Sequence, residues 1–529
     1  MKRFGCVIVA AILTGTVFCG CANKDNNGNN HSGENIITPM PTIENAKDAD
    51  DMAKEISADF KVETEITDGF TLDNGTLNIG KAGAYTLSGN LQGNVVVDLS
   101  EDANVEITMA DCVIESSEKA PIYIENAKNA IIILEKDTYN EINDLRNRLP
   151  DTEDAVTDAT DAKAAIFSDC DLKIRGEGAL KVTGNAKNGI HTKDDLTISD
   201  AVLKVSALNH ALRGNDSVTI KSGDVTINTT EGDGIHSEQK IIIDGGKTSI
   251  DVKDDGMHAD GEIIVNDGTL NVVNSYEGIE ADIITFNGGR TVVYATDDGI
   301  NASSGTQNAQ GGFGGFGGGR GGMSAGTSKI VVNGGYVEVK TPSGDTDAID
   351  ANGSYVQTGG FVLVKGGSSS GNMSGSVDVD GTVEVTGGMI AAFGGICELP
   401  SGNSCNTYAM RGTSFGSGEY SLNDNEGNSL LTFNLDGNYS SAWICGDILE
   451  TNVGFTLTKD GEEIASWVQT EGNMSTGNGN NQGGPGGFNP GGRGNKEWNV
   501  PGGNVPENPP DGGETRPQGG NRPSKRNYA

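Results

Sequence analysis

Asp233-Gly-Ile-His236 is one of six near-copies of a phrase that recurs along the middle of the sequence. Its small residue and those of the other copies stand at positions 189, 211, 234, 256, 278 and 299, so the spacings are 22, 23, 22, 22 and 21 residues. A near-constant period of this length predicts a solenoid in which every copy lies on one side of the stack. The six copies are Asn188-Gly-Ile-His191, His210-Ala-Leu-Arg213, Asp233-Gly-Ile-His236, Asp255-Gly-Met-His258, Glu277-Gly-Ile-Glu280 and Asp298-Gly-Ile-Asn301.

Apolar residues follow each small residue at fixed offsets. The residue at +1 is apolar in every copy, and pairs two residues apart recur at +7 and +9, as in Ile241 and Ile243, and at +14 and +16, as in Leu203 and Val205. A spacing of two indicates strands with one face turned inward, whereas a helical repeat would use three and four. Three short strands per unit predict an all-β parallel β-helix with coils of about 22 residues, stacked about 4.8 Å apart.

The sequence divides into a long repeat region and two low-complexity ends. Its 529 residues include 79 glycines and only 5% aromatic residues, which suits a turn-rich solenoid with a thin aliphatic core. We predict the following segments: a lipoprotein-type signal peptide at 1–21, a flexible tether at 22–55, the β-helix at 56–400 with a Gly-rich insertion at 302–328, a C-terminal β cap at 401–470 and a disordered Gly/Pro-rich tail at 471–529.

The N-terminus has the features of a bacterial export signal. Met1-Lys-Arg3 precedes an apolar run from Val7 to Val17, which is too short to span a membrane as a mature helix. Cys21 follows Gly20 as in a lipobox, so we expect lipidation of Cys21 and an anchor on the outer face of the bacterial membrane; plain secretion is the alternative. In an exported protein Cys397 could pair with Cys405, or one of them with Cys445.

Acids recur just before the small residue, where they predict a column of carboxylates. Two unit charges about 5 Å apart repel by roughly 3 kcal/mol at an effective dielectric of 20, so the column needs counter-charge. Outside a cell the available hard cation is Ca²⁺, which binds oxygen ligands. We therefore expect Ca²⁺ between neighbouring coils; turn chemistry alone is the alternative. The predicted metal ligands are Asp233, Asp254, Asp255, Glu277, Glu280, Asp297, Asp298 and Asp347, with Asp260 and Asp282 as further candidates.

Histidines recur two residues after the small residue. His191, His236 and His258 share this offset, and His210 takes the position of the acid in its own copy. Two histidines one coil apart could hold zinc or nickel if carboxylates complete the set. A stacked surface ladder, partly paired with the acids, is the interpretation that we favour.

The lipoprotein start, the repeated phrase and Gly-Gly-Phe313-Gly-Gly-Phe316 in the insertion together resemble the clostridial carbohydrate-binding β-helix proteins, a family similar in fold to family-9 polysaccharide lyases. The resemblance covers roughly residues 60–470. It implies a right-handed β-helix with bound calcium that binds plant cell-wall polysaccharide, notably acidic pectin-type chains, and also cellulose.

The formal charge of −37 argues against nucleic acid as a partner. We expect calcium-dependent, non-catalytic binding of an acidic polysaccharide such as polygalacturonate, because a protein this acidic repels a uronate chain unless a cation bridges them. One alternative is a calcium-assisted pectate lyase with Lys253, Lys193 or Arg213 as the base. The other is a structural surface adhesin in which calcium serves only rigidity.

Overall fold

The computed structural model describes residues 45–100, 102–150, 156, 158–304, 326–344, 346–367 and 375–476. They form an all-β solenoid of about 11 turns with 1% helix, so the predicted fold class is confirmed. Across these ranges no helix is long and apolar enough to cross a membrane. The predicted signal peptide with Cys21, residues 22–44 of the tether, residues 305–325 of the insertion and the tail from 477 lie outside the described residues.

Each coil of the solenoid adds one strand to each of three parallel stacks. The first stack, which carries the repeated phrase, consists of Thr76–Ile79, Asn94–Asp98, Ile122–Asn126, Ala164–Ser168, Asn188–Thr192, Leu212–Gly214, Ile235–Ser237, Ile300–Ala302, Ile349–Ala351 and Val377–Val379. The second consists of Asn129–Leu134, Asp171–Arg175, Asp195–Ser199, Ser217–Ile220, Lys240–Ile243, Lys329–Val332, Ser354–Gln357 and Val383–Val385. Two strands, Met257–Val265 and Ile279–Phe286, run through both of these stacks.

The third stack follows the glycine-rich turn of each coil. It consists of Tyr139–Asp144, Ala179–Gly184, Val202–Ala207, Asp224–Thr229, Lys247–Asp251, Thr269–Asn274, Arg290–Tyr294, Tyr336–Lys340, Phe361–Lys365 and Met389–Phe393. Near the start, Gly83–Gln92 and Asn104–Ser116 run through the second and third stacks.

The inward residues stack in register from coil to coil. In the first stack Ile190 lies opposite Leu212, and Leu212 lies opposite Ile235; all three are fully buried. Identical aliphatic positions therefore form continuous ladders in the core, and these ladders are the predicted apolar offsets.

Two kinds of corner explain the glycines of the repeat. Between the second and third stacks Gly246 has φ +78°, a conformation that favours glycine. At the corner before the first stack the reason is space, because a Cβ on Gly278 would lie 2.2 Å from the carbonyl oxygen of Gly299. Ala211 and Ala348 take that corner elsewhere, so the position requires a small residue rather than positive φ.

Residues 45–55, the described part of the predicted tether, pack against the third stack. The short 3₁₀ helix Ala49–Met52 lies there, and the Lys204 ammonium lies 2.8 Å from Asp48 and 2.6 Å from Asp50. The antiparallel strands Lys61–Glu63 and Phe70–Asp73 follow and pair with the first coils.

The last coil is covered by antiparallel strands, in the region of the predicted cap. Tyr439–Gly446 pairs with Met389–Phe393 of the third stack, so that stack does not end in an open edge. The strands of this region are Thr407–Phe415, Gly418–Asp424, Ser429–Leu435, Tyr439–Gly446, Gly454–Lys459, Glu462–Val468 and Asn473–Thr476. Cys397, Cys405 and Cys445 lie in or beside it, and no disulfide forms among the described residues.

Candidate metal centre

The residue before each small residue lies at a corner where hydrogen bonds join consecutive coils. The Gly234 amide donates to the carbonyl of Asp255, and the Gly256 amide donates to the carbonyl of Glu277, both at 2.9 Å. Since this corner repeats, the side chains at the position stack in a row. We call this row the acid column; its members are Asp233, Asp255, Glu277, Asp298 and Asp347.

One side-chain oxygen in the column accepts a hydrogen bond from the next coil. The amide of Asp255 donates to Asp233 Oδ1 at 3.2 Å, and the amide of Glu277 donates to Asp255 Oδ1 at 3.3 Å. Asn188 does the same with a neutral side chain, because its Oδ1 accepts from the His210 amide at 3.2 Å. This ladder explains the preference for a short acceptor, but it does not require a negative charge.

Three carboxylates converge at the start of the column. Asp233, Asp254 and Asp255 each bring one oxygen to within 4.8 Å of the other two. Asp233 and Asp255 are buried, whereas Asp254 is exposed. We call these three residues the oxygen cluster. All three are among the ligands predicted from the sequence, and they offer oxygen alone, which is the donor that Ca²⁺ prefers.

Burial and mutual repulsion disfavour ionisation in this part of the column. Burial raises the pKa of Asp255 to about 7, and the carboxylates of Asp233 and Glu280 add to the rise. Asp254 is exposed, but partial desolvation of its carboxyl group by the surrounding protein raises its pKa to about 6, helped by Asp233. The pKa of Glu277 rises to about 9 through burial and then through Glu280 and Asp255. The folded chain therefore holds carboxyl groups that a nearby cation would help to ionise.

Histidines stand beside the column as a stack of three rings. The ring of His236 lies 4.4 Å from that of His210 and 5.3 Å from that of His258. The predicted ladder is thus present, but its first member is His210, which takes the position of the acid in its own copy of the phrase rather than the offset of the other histidines. His191 lies outside the stack, with its ring edge-on to Phe167 at 4.9 Å.

Each stacked histidine contacts a carboxylate. His236 Nδ1 lies 2.9 Å from Asp233 Oδ2, and His258 Nδ1 lies 3.1 Å from both Asp255 Oδ2 and Glu280 Oε2. Burial disfavours the charged form of Asp233, yet His210 and His236 outweigh it and hold the pKa of Asp233 well below its usual range. Burial also opposes the charge on His258, but the hydrogen bonds to Asp255 and Glu280 raise the pKa of this imidazole to about 12.

A second group of acids lies further along the solenoid. Asp350 stacks on Asp378 in register, next to Asp298 and Asp347 of the column. Burial raises the pKa of Asp347 to about 8 and that of Asp350 to about 7, with Asp298 and Asp378 adding to both. We call these four residues the distal acids. Asp378 is not among the predicted ligands, although Ser376-Val377-Asp378 continues the phrase in weaker form.

The remaining predicted ligands have partners of their own. Asp297 accepts a hydrogen bond from Tyr276, and Asp282 Oδ1 accepts one from Ser328 at 2.7 Å. Glu280 accepts from Ser303 at 2.7 Å in addition to its contact with His258, and Asp260 lies 3.5 Å from His258 Nε2.

Two of the three predicted bases are held in ion pairs. Lys193 Nζ lies 2.6 Å from Asp169 Oδ1, and the Arg213 guanidinium lies 2.9 Å from Glu238 Oε1. Lys253 is exposed beside the oxygen cluster, and the described residues form no ion pair with it. Lys193 and Arg213 are thus each engaged with a carboxylate of the protein itself.

Comparisons with known proteins agree with the resemblance in the repeats. Residues 73–315 match the model of a family described as carbohydrate-binding domain-containing protein. A relative of that description from Acetivibrio thermocellus is 30% identical over 203 residues, which are 38% of this chain and 64% of the relative. The chain thus spans less than two thirds of that relative. These matches confirm the predicted resemblance to the carbohydrate-binding family.

One solved structure is also similar in part. It is described as the polysaccharide lyase-like protein from C. thermocellum, in a gadolinium derivative. It is 29% identical, and the match covers 44% of this chain and 90% of that chain with a TM-score of 0.34.

Proposed function

We propose that this solenoid, whose residues 73–315 match the carbohydrate-binding family, binds an acidic polysaccharide in a calcium-dependent and non-catalytic manner at the acid column. The observation that carries the proposal is the oxygen cluster, in which Asp233, Asp254 and Asp255 approach within 4.8 Å of one another. Polygalacturonate is the ligand that we would test first, and cellulose is the uncharged comparison.

The donor set fits calcium. Ca²⁺ takes six to eight oxygens at about 2.3–2.6 Å, from carboxylates, main-chain carbonyls and water. The oxygen cluster would supply the carboxylates, and the exposed side chain of Asp254 leaves one side open to solvent and to a ligand. Calcium bound there would supply the positive charge that a second carboxylate-bearing partner requires.

The choice of an acidic polymer follows from charge and shape. With a net charge of −37 the protein repels a uronate chain at long range, so an interaction with such a chain depends on a cation. The column and the distal acids lie along one corner of consecutive coils and form a linear array. A linear array suits a linear polymer whose carboxylates recur at regular intervals.

The proposal includes the cellular location of the protein. A lipid on Cys21 would hold the solenoid on the outer face of a bacterial membrane, where calcium and plant polysaccharide are both present. Incorporation of labelled palmitate into the wild-type chain, lost in a Cys21→Ala variant, is the expected result. Secretion of the unlabelled wild-type chain into the medium would contradict the anchor.

A lyase reaction is less well supported, because two of its three candidate bases, Lys193 and Arg213, are paired with carboxylates, which leaves Lys253 as the one to test. The test applies the full chain to immobilised polygalacturonate and to cellulose, with calcium or with EDTA. We expect retention on polygalacturonate with calcium, release by EDTA and no rise in the absorbance of unsaturated uronate. Retention that survives EDTA would contradict calcium dependence, a rise in absorbance would favour the lyase, and no retention on any glycan would favour the adhesin.

A further inference from the structure

The histidine stack brings nitrogen ligands to one end of the acid column. His210 Nδ1 and His236 Nδ1 lie 3.2 Å and 2.9 Å from the same oxygen, Asp233 Oδ2. All three atoms lie within 4.8 Å of one another. We call His210, Asp233 and His236 the imidazole triad.

We propose that the imidazole triad is a binding site for a divalent transition-metal ion, of which zinc is the test case. Two imidazoles and one carboxylate form a donor set that suits zinc, nickel, cobalt or iron, whereas calcium prefers oxygen alone. The site therefore differs in chemistry from the oxygen cluster, although Asp233 belongs to both. It does not depend on calcium binding or on any polysaccharide.

The separations match a coordination polyhedron. Ligand atoms about 2.0–2.1 Å from a metal, at tetrahedral or right angles to one another, lie roughly 2.8–3.4 Å apart. The contacts of 2.9 Å and 3.2 Å on Asp233 Oδ2 are close to that range. The two rings are stacked at 21°, so one ring must turn for both lone pairs to meet at one ion. That turn is about the Cβ–Cγ bond of histidine, whose torsional minimum is broad.

The hydrogen bonds at the triad leave too few protons for its acceptors. His210 Nδ1 lies 3.2 Å from the main-chain nitrogen of Asp233, from which it accepts a hydrogen bond when it is unprotonated. The same nitrogen lies 3.2 Å from Asp233 Oδ2, which is a second acceptor. His236 Nδ1 can place only one proton in the group. A protonated His210 Nδ1 donates to Asp233 Oδ2 and leaves the amide without its acceptor, whereas an unprotonated one turns a lone pair towards Oδ2, a contact that a cation would relieve.

The triad is closed on the protein side and open on the other. The side chain of Asp233 is 6% exposed, whereas those of His210 and His236 are 14% and 19% exposed. Three protein ligands leave at least one coordination position of zinc for water or for an exogenous carboxylate. The neighbouring group Asp255–His258–Glu280 has only one imidazole, so we expect it to bind zinc more weakly.

The experiment dialyses the full chain against zinc, once without calcium and once with a large excess of calcium, and then measures bound metal; because Asp233 belongs to both sites, the calcium-free arm is the test of the triad itself. We expect about one zinc ion per chain. Replacing zinc by cobalt should give visible absorption bands typical of nitrogen ligation. His236→Gln should lower the zinc affinity by at least about tenfold, since even outer-shell partners of metal ligands are worth 10–100-fold. His210→Gln is a second ligand variant in case the first does not fold.

His191→Gln is the matched control, because His191 occupies the same offset but lies outside the stack. It should bind zinc as the wild type does, and circular dichroism should show the same fold for every variant. Three results would overturn the proposal: no zinc on the calcium-free wild type, unchanged affinity in both ligand variants, or an equal loss in the control. The absence of the cobalt bands would overturn it as well.

Discussion

Asp254→Asn should change the stability of the protein in opposite directions with and without calcium. The side chain of Asp254 is exposed, and its main-chain carbonyl accepts the amide of Tyr276 at 2.8 Å, which the substitution leaves intact. Unlike Asp233 and Asp255, it does not serve the ladder between coils. The substitution therefore removes a charge from the oxygen cluster and very little else.

The expected gain in stability without calcium follows from the separation of the charges. At 4.8 Å, the upper limit within the cluster, two unit charges repel by about 0.9 kcal/mol in water and about 3.5 kcal/mol at a dielectric of 20. Because Asp254 is exposed, the lower value applies to each of its two neighbours, Asp233 and Asp255. The calcium-free variant should thus be more stable by about 1–2 kcal/mol, or roughly 1–3 °C in Tm for a chain of this size.

The same substitution should weaken calcium binding. A carboxylate ligand that becomes an amide loses its charge, and a loss of only about 1.4 kcal/mol is already tenfold in affinity. Scanning calorimetry in EDTA measures the Tm of the calcium-free protein, and titration calorimetry measures its affinity for calcium. Relative to the wild type, Asp254→Asn should show both effects: a higher Tm in EDTA and a calcium affinity that is lower by at least about tenfold.

Asp244→Asn is the matched control. It makes the same change at an exposed corner where Asn266 Nδ2 donates to Asp244 Oδ1 at 2.7 Å and Asn287 continues the ladder. An asparagine fits that ladder, so calcium affinity should not change. A lower Tm in EDTA for Asp254→Asn would refute the reasoning, because it would mean that the carboxylate stabilises the corner. Equal calcium affinity for wild type, variant and control would refute the metal assignment.

Three further predictions concern other parts of the chain. In EDTA the Tm should fall as the pH rises from about 5 to 7, because burial raises the pKa of Asp350 to about 7, and the stability that this group contributes is fully present below its unfolded pKa and is lost as the pH rises to the folded one. Asp350→Asn should make this fall shallower; a Tm that rises over this range would contradict the repulsion. Gly278→Ala should lower the free energy of unfolding by about 1–3 kcal/mol, because its Cβ would clash with the next coil. Gly80→Ala is the control, since a Cβ there meets no atom within 4 Å. Equal urea denaturation midpoints for these two variants would contradict the prediction. Lys365→Met should cost about 3–5 kcal/mol, since it leaves the carboxylate of Glu338 without the cation 2.5 Å away; an unchanged urea midpoint would show that this pair contributes nothing.

The strand stacks could be predicted from the sequence because the same positions of every coil point into the core and must be apolar. Ile190, Leu212 and Ile235 all point into the same core, and any polar residue there would lose its contact with water. The offset from the small residue is therefore almost the same in every coil. The period is lost where a coil changes length, as between Ala348 and Ser376, which are 28 residues apart rather than 22. A search at the regular spacing therefore does not find Asp378, although this residue stacks on Asp350.

The composition of the candidate site could be predicted only in part, because register fixes the backbone position and not the side-chain partner. Asp297 and Asp298 are adjacent in sequence, but Asp297 bonds to Tyr276 while Asp298 accepts the amide of Asp347 at 2.9 Å. Likewise His210 enters the histidine stack from the offset of the acids rather than from that of His236. Contacts of this kind depend on side-chain torsions, which no repeat period specifies.

The change of donor atoms along the solenoid has a consequence for metal selectivity. Two residues after the small residue, the chain has imidazoles at His236 and His258 and then oxygen ligands at Glu280, Asn301 and Asp350, each stacked on the one before. Nitrogen-rich sites select late transition metals, and oxygen-only sites select calcium. Since the corner acids supply a carboxylate in each of these coils, the residue at this offset helps to decide which ion is preferred. We therefore expect one column to hold two classes of cation: a transition-metal ion where the imidazoles of His210 and His236 face Asp233, and calcium where oxygen ligands alone converge, at the oxygen cluster and towards the distal acids.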